Sequence, residues 1–409
     1  MREGAHIGAA MRAIVNHDTA RHVPRARERS AADHAIRRER GPRDRRGSGG
    51  AAGALRAPVI MSSDSTGDAP TDLFLSLTPH KVIEAVEAAG VLCNRVCYPL
   101  SSFENRVYEV EREDRSRVVA KFYRPGRWTE AQILEEHRFL ADLVEAEIPV
   151  CATQPFPEGG TLRRIDHIAY CLFERAGGRA PDELTDELSA RLGRLVARIH
   201  NTGAARGAEH RLRLTADAYA REDLAWMEAK KVIPARLERR YLTAAEALTK
   251  RADEGLAGVE VHRIHGDLHA SNLLLRDGLL RALDFDDMMV GPAVQDVWLL
   301  FPGRDAETTR LRNVFLDAYE ELRDFDHASL RLVEPLRGLR LIHYAAWLAR
   351  RWHDPIFPRT FIHFGTEAYW DEQTRDLEEL LDVIRKGTSA QADAPEEKGT
   401  EEKFFWDLD

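Results

Sequence analysis

Two carboxylates and an amide, spaced so that the chain can bring them to one point, are the residues best suited to chemistry. His265-Gly266-Asp267-Leu268-His269-Ala270-Ser271-Asn272 is followed by Leu273-Leu274-Leu275, by Asp277-Gly278, and then by Asp284-Phe285-Asp286-Asp287. The apolar residues on either side of Asp277-Gly278 predict two short antiparallel strands joined by a tight turn. A hairpin of that length returns the chain to its start, so Asp267, Asn272 and Asp284 should converge. Phosphoryl transfer to a hydroxyl needs such a set. One Asp accepts or orients the acceptor proton, while the Asn and the other Asp hold Mg²⁺ against the phosphates of ATP. Mg²⁺ prefers hard oxygen ligands and keeps several waters, so two protein oxygens suffice. A lone Asp in a polar turn would carry no such weight; this loop followed by Asp-x-Asp-Asp at hairpin distance does.

Other elements must position that set. Thr78-Pro79 supplies an N-cap and a first-turn proline, with Gly90 ending the helix. Strand-like pieces follow at Leu92–Tyr98, Arg106–Glu111 and Arg117–Tyr123, and a buried strand at Ile165–Phe173. Lys121 sits in the third; a lone Lys in a strand ordinarily faces solvent. Thr129-x-x-Gln132 reads as a capping box opening a helix to about Glu147. That helix carries Glu135 and Glu136, either of which could pair with Lys121 and aim it at the ATP α/β-phosphates, Glu136 being preferred. Glu174 to Pro181, with Gly177-Gly178, reads as a hinge between two lobes. Beyond it the period is helical: Leu188, Leu192, Leu195, Val196 and Ile199 form one stripe, and further helices are expected near 213–230, 232–254, 306–323, 327–352 and 366–387. Asp296 is either a helix N-cap or a hydrogen-bond acceptor for the backbone of the 265–272 loop. Arg337, Arg340, Arg350 and Arg351, beside Trp347 and Trp352, are expected on a solvated face with their stems over aromatic rings, rather than along an anionic groove.

The totals exclude several classes. The chain is 409 residues long and 44% hydrophobic, enough for a substantial core. It has no run of about 18 apolar residues, and Cys93, Cys97, Cys151 and Cys171 are too few and too irregular for a disulfide framework or a zinc site. Residues 1–60 carry a net +7 from 13 Arg against 6 acidic residues, which leaves −16 of the total −9 for the chain from Met61 onward. An acidic body argues against nucleic-acid binding. Residues 1–70 read as a disordered Arg-rich leader, with Met61 as the expected true start. The acidic tail at 387–409 ends in Phe404-Phe405-Trp406, a pattern suited to docking on a partner or on the body of the protein.

Lys121, Glu136, His265-Gly266-Asp267, Asn272 and Asp284, in that order, resemble the aminoglycoside phosphotransferase/choline kinase branch of the protein-kinase-like fold, and most closely the stress response kinase A family. Ser102-Phe103-Glu104-Asn105-Arg106-Val107-Tyr108, Val119 to Trp128, Gln132 to His137, Gly291 to Asp296, Glu334 to Arg337 and Trp347 to Trp352 carry the resemblance, which spans about Leu77 to Arg385. It implies an α+β, two-lobed fold: a small antiparallel-sheet lobe over 71–175 and a larger, mainly helical lobe over 176–386. It also implies a cytoplasmic, monomeric Ser/Thr protein kinase using ATP and Mg²⁺ on protein substrates, linked to oxidative and envelope stress. Asp267 would then be the catalytic base, Asn272 and Asp284 the Mg²⁺ ligands, and Ser102, Lys121 and Glu136 the ATP site, supported by His265, Asp286 and Asp296. The Ser101–Arg106 loop contains no glycine, so phosphates would rest on backbone N–H groups and the Ser102 hydroxyl. The alternative is a small-molecule kinase for an amino alcohol or aminoglycoside, with Asp286 and Asp287 as an acidic wall; a nucleotide-binding pseudokinase is the third reading.

Overall fold

A computed structural model describes residues 74–100 and 102–392. The whole Arg-rich leader, including Met61, and the Phe404-Phe405-Trp406 end of the tail lie outside the described residues. The fold is α+β and two-lobed, an antiparallel sheet followed by a mainly helical lobe.

The Thr78 hydroxyl accepts the Lys81 N–H and opens α1 (Pro79–Ala88). Strands β1 (Cys93–Leu100), β2 (Arg106–Arg112), β3 (Arg117–Phe122), β6 (Ile168–Glu174) and β4 (Thr153–Gln154) lie side by side in that order, and β5 (Arg163–Ile165) pairs with β6. The single strand expected over Ile165–Phe173 is therefore a hairpin. Asp166 and His167 both have positive φ (43° and 67°) and form a two-residue turn that sets Ile165 opposite Ile168. Asp and His tolerate that conformation better than most residues, a weaker signal than Asn-Gly.

The period of two along β3 decides where Lys121 points. Val118, Ala120 and Phe122 join Val82 and Val86 of α1 in one core. Tyr123 packs with Ile133 of α2 (Glu130–Glu145) on the opposite face, and Lys121 reaches the same helix. The Thr129 capping box that starts α2 has both of its reciprocal bonds. Lys121 is thus covered rather than solvent-facing.

In the second lobe the Leu188–Ile199 stripe of α3 (Asp186–Ala205) is buried in the large core. A π-helical turn (Asp217–Arg221) leads into α4 (Glu222–Ala229), followed by α5 (Ala235–Leu256). The central hairpin is present: β8 (Leu273–Arg276) and β9 (Leu279–Ala282) turn at Asp277 and Gly278, with φ of 49° and 77°. A second ladder, too short to leave a sequence pattern, pairs β7 (His262–Ile264) with β10 (Met289–Gly291). It holds the loop after Ile264 beside the segment before Met289. The remaining helices are α6 (Val294–Leu300), α7 (Ala306–Glu320), α8 (Val333–Arg350), α9 (Ile356–Thr360) and α10 (Glu367–Ala392). The last runs past the end expected near Gly387. No helix among the described residues is long and apolar enough to cross a membrane.

Hydrogen bonds from Ala282 to Pro149 (3.1 Å) and from Cys151 to Ala282 (3.1 Å) tie the hairpin to the strand side of the cleft. Arg179 and Leu275 exchange backbone bonds of 3.3 and 2.8 Å, so the expected hinge is anchored on the same hairpin. The cleft floor is consequently one hairpin held from both sides.

Candidate active site

A cavity of about 470 Å³ lies between the lobes, within the usual range for small-ligand sites. Ser102, Lys121, Asp267, Asp284 and Asp286 all line it. Lys121 Nζ is 3.3 Å from Glu136 Oε1, 3.3 Å from Asp284 Oδ1 and 2.9 Å from Asp286 Oδ1. Burial works against the charge on Lys121, but these carboxylates outweigh it and hold the ammonium well above the usual lysine range. Glu135, the neighbouring candidate, faces elsewhere. Its carboxylate accepts the backbone N–H groups of Glu209, His210 and Arg211 at 2.7 to 2.9 Å, fixing the loop after α3.

Asp296 holds the 265–272 loop from beneath. Its carboxylate accepts the N–H groups of His265 (2.9 Å) and Gly266 (2.8 Å), and lies 3.1 Å from His200 Nε2. No side-chain cap bond is made at the start of α6, so the helix-capping alternative for Asp296 does not describe it. His265 Nε2 reaches the Leu283 carbonyl at 2.9 Å and clips the loop to the end of β9. Gly266 has φ +83°, and a Cβ there would lie 2.3 Å from the Asp287 carbonyl, so the loop's path past Asp287 requires glycine.

Asn272 and Asp284 stand at the base of the hairpin, where the Leu283 N–H donates to the Asn272 carbonyl at 3.1 Å. The Asn272 side-chain amide donates to the Asp267 carbonyl at 2.9 Å, which directs the amide oxygen away from that bond. Asp284 is left-handed (φ 60°, ψ 64°) and its side chain is half exposed. Non-glycine residues in that region are held there by their surroundings and cluster at functional sites. One amide oxygen and one accessible carboxylate are hard donors, and they fit a Mg²⁺ that retains water.

Three residues that composition and period did not flag, Arg211, Arg127 and Glu104, complete the site together with Arg340, which was expected on a solvated face. Arg211 donates to Glu136 (3.1 Å) and to the Asp286 carbonyl (2.8 Å) with its side chain fully buried. Arg127 binds both Asp286 and Asp287. Glu104, in the loop between β1 and β2, accepts from Trp347 Nε1 (2.6 Å) and Arg351 (2.8 Å) across the cleft. Arg340 Nη2 lies 2.7 Å from Asp267 Oδ1, and the Arg340 guanidinium, with His269 beside it, overcomes burial to hold the Asp267 carboxyl well below the usual carboxylate range. The solvated face expected for the arginines of α8 is therefore corrected. Arg337, Arg340 and Arg351 are 3 to 13% exposed and ion-paired, because helical period identifies residues on one face without identifying what lies opposite. Aromatic rings do lie against these arginines, but under the guanidinium groups: Arg337 over Trp298, Arg350 over Trp226 and Arg351 over Trp347.

Glu136→Ala should cost about 3–5 kcal/mol, since it leaves the fully buried Arg211 guanidinium without its carboxylate and takes one of three carboxylates from Lys121, which keeps Asp284 and Asp286; chemical denaturation read by circular dichroism measures it, and a loss below about 1 kcal/mol would mean the pair is better solvated than its burial indicates. His137 sits between Tyr123 Oη (3.0 Å) and Thr161 Oγ1 (2.7 Å), and burial, then Lys121 and Arg211, push its pKa down to about 3. A depressed histidine stabilises fully above its unfolded pKa and less as pH falls, because only the unfolded chain takes up the proton. Between about pH 6 and 4 the stability of His137→Gln should fall less steeply than that of wild type, by up to about 1.4 kcal/mol per pH unit. Parallel pH curves would show that His137 is protonated in the fold.

Comparison with known proteins matches residues 97–333 to a phosphotransferase enzyme family. Over 322 residues the chain is 40% identical to "Stress response kinase A" of Escherichia coli strain K12, an alignment covering 76% of this chain and 95% of that protein. It is 39% identical over 315 residues to "Serine/threonine protein kinase RdoA" of Salmonella typhimurium, with the same coverage. Among solved structures, an amicoumacin kinase in complex with AMP-PNP and Ca²⁺ superimposes with a TM-score of 0.59 at 21% identity, covering 73% of this chain and 92% of that one. A microcompartment-associated aminopropanol kinase gives 0.56 at 19%, covering 75% and 97%. The two latter likenesses bear on the fold alone.

Proposed function

The chain belongs to the phosphotransferase enzyme family and, within it, to the stress response kinase A kinases, and from that membership we propose that it is an ATP- and Mg²⁺-dependent serine/threonine protein kinase of bacterial stress response. The observation that carries the acceptor class is 40% identity across nearly the whole length of a stress response kinase, with an RdoA relative named a serine/threonine protein kinase. Asp267 orients the acceptor hydroxyl and takes its proton, Lys121 aims at the α/β-phosphates under the tension of Glu136, and Ser102 meets the phosphates from the β1–β2 loop. Asn272 and Asp284 hold the metal, which when bound supplies charge neutralisation at the β/γ-phosphates. His265 and Asp296 fix the loop that carries Asp267. We place the enzyme in the cytoplasm.

The ion pairs favour a protein acceptor over a cationic small molecule. Asp286 and Asp287, the acids available as a wall for an ammonium group, are both bound to Arg127, so an amine would have to displace an arginine already in place. The test is transfer from labelled ATP, with Mg²⁺, to generic protein acceptors, to the protein itself, and to a panel of amino alcohols and aminoglycosides. Label on Ser or Thr is the expected result. Label confined to a small molecule would replace this reading with the small-molecule kinase.

A further inference from the structure

Three cations among the described residues line the cavity that holds Asp267 and Asp284: Lys121, Arg127 and Arg340. Lys121 is engaged by Glu136, Asp284 and Asp286, and Arg127 by Asp286 and Asp287. Of the three, Arg340 is the one bonded to Asp267, at 2.7 Å from Oδ1, with its side chain 13% exposed. The other Asp267 oxygen, Oδ2, has His269 Nε2 at 3.4 Å, too long for a strong bond. The two oxygens are thus unequal: one is held by a guanidinium and the other is left for an acceptor hydroxyl. A guanidinium carries five N–H donors in a rigid plane, so a bond to one carboxylate oxygen leaves donors for a phosphoryl oxygen beside it.

The support behind Arg340 is rigid. Leu339, Leu341 and Ile342 on either side of it in α8 are buried. One turn further on, His343 stacks on Tyr219 (centroids 4.5 Å apart, planes at 14°), and its Nδ1 lies 2.7 Å from Asp223 Oδ2. Arg350 binds the same carboxylate. Charge that is in place before the reaction is what lowers a barrier electrostatically, since nothing reorganises at the moment of transfer.

We infer that Arg340 is a catalytic residue of the transfer step, contacting a non-bridging oxygen of the phosphoryl group in flight while it fixes Asp267. The inference rests on the phosphotransferase reading above and not on the identity of the acceptor. The acceptor oxygen forms its bond to the γ-phosphorus as the bond from that phosphorus to the β–γ bridging oxygen breaks, with the electron pair leaving on ADP. The acceptor proton passes to Asp267 Oδ2. Arg340 keeps its protons and offsets the negative charge spread over the non-bridging oxygens, the contribution an arginine supplied in cis makes to such a transition state.

The test compares the full chain with Arg340→Ala and Arg340→Lys on whichever acceptor the wild type labels. Arg340→Ala should lower kcat by on the order of 10³, the lower end for such arginines, while the KM for ATP changes by no more than about threefold. Arg340→Lys should recover part of the loss, since it keeps the charge without the fork. A binding readout separates this from a structural ion pair. Calorimetric titration of ADP and Mg²⁺ should show tightening by aluminium fluoride, a mimic of the group in flight, in the wild type; Arg340→Ala should lose the tightening yet keep its affinity for ADP alone. The inference is overturned if Arg340→Ala retains kcat within about fivefold, if ADP affinity falls along with kcat, or if the tightening persists. A wild type that labels only amines would overturn the protein-kinase reading and leave the Arg340 comparison intact. A wild type that labels nothing and shows no tightening would overturn both.

Discussion

Asp267→Asn should reduce phosphoryl transfer by about 10²–10⁴-fold, the usual contribution of a positioned general base, while nucleotide affinity stays close to that of the wild type. The separation is expected because the loop does not depend on the Asp267 side chain for its shape. Asp296 holds the His265 and Gly266 N–H groups, and Asn272 holds the Asp267 carbonyl. Asn keeps an oxygen that can accept from Arg340 and loses the second oxygen's capacity to take a proton. Some stability should be lost with the charge, since Arg340 then faces a neutral partner, so thermal unfolding of the variant is the necessary control. Steady-state transfer from labelled ATP and calorimetry with a non-hydrolysable analogue give the two numbers. Equal loss in both would make Asp267 a nucleotide or metal ligand, and the proton acceptor would have to be sought elsewhere.

The readable parts of this site are those whose signals are local. Asp277-Gly278 between apolar runs specifies a two-residue turn, and the turn brings Asn272 and Asp284 to the same end of a ladder. Thr129-x-x-Gln132 starts α2 at a defined residue, which fixes the register of Glu135 and Glu136 on the helix. What each glutamate meets is long-range: one caps backbone at 209–211, and the other meets Lys121 and Arg211. The same limit hid the partner of Arg340, 73 residues away at Asp267, and the pairing of Arg211 with Glu136 across 75 residues. An arginine on an amphipathic helix has one sequence signature whether it faces water or a carboxylate from another element. Asp296 illustrates the middle case. Its place near a helix start was legible, but its acceptor role depends on N–H groups about 30 residues away, delivered by the β7–β10 ladder.

Asp284→Ala should abolish most of the Mg²⁺-dependent part of ATP binding and leave the metal-free part nearly unchanged. Lys121 still has Glu136 and Asp286 after the change, so the phosphate-facing ammonium stays in place and the lobes stay tied. Affinity for the metal–nucleotide complex should fall by at least about 10–100-fold, the loss seen when even an outer partner of a metal site is removed. Backbone strain enters separately, because alanine placed at φ 60° and ψ 64° costs about 1–2 kcal/mol. Asp284→Asn divides the two effects. Asparagine adopts the left-handed region more readily and keeps one hard oxygen, so it should fold like the wild type and bind the metal complex with intermediate affinity. Titration of ATP with and without Mg²⁺ across the three proteins measures both. If the metal-dependent increment is the same in all three, Asp284 is not a metal ligand, and its strained backbone must serve the Lys121 contact instead.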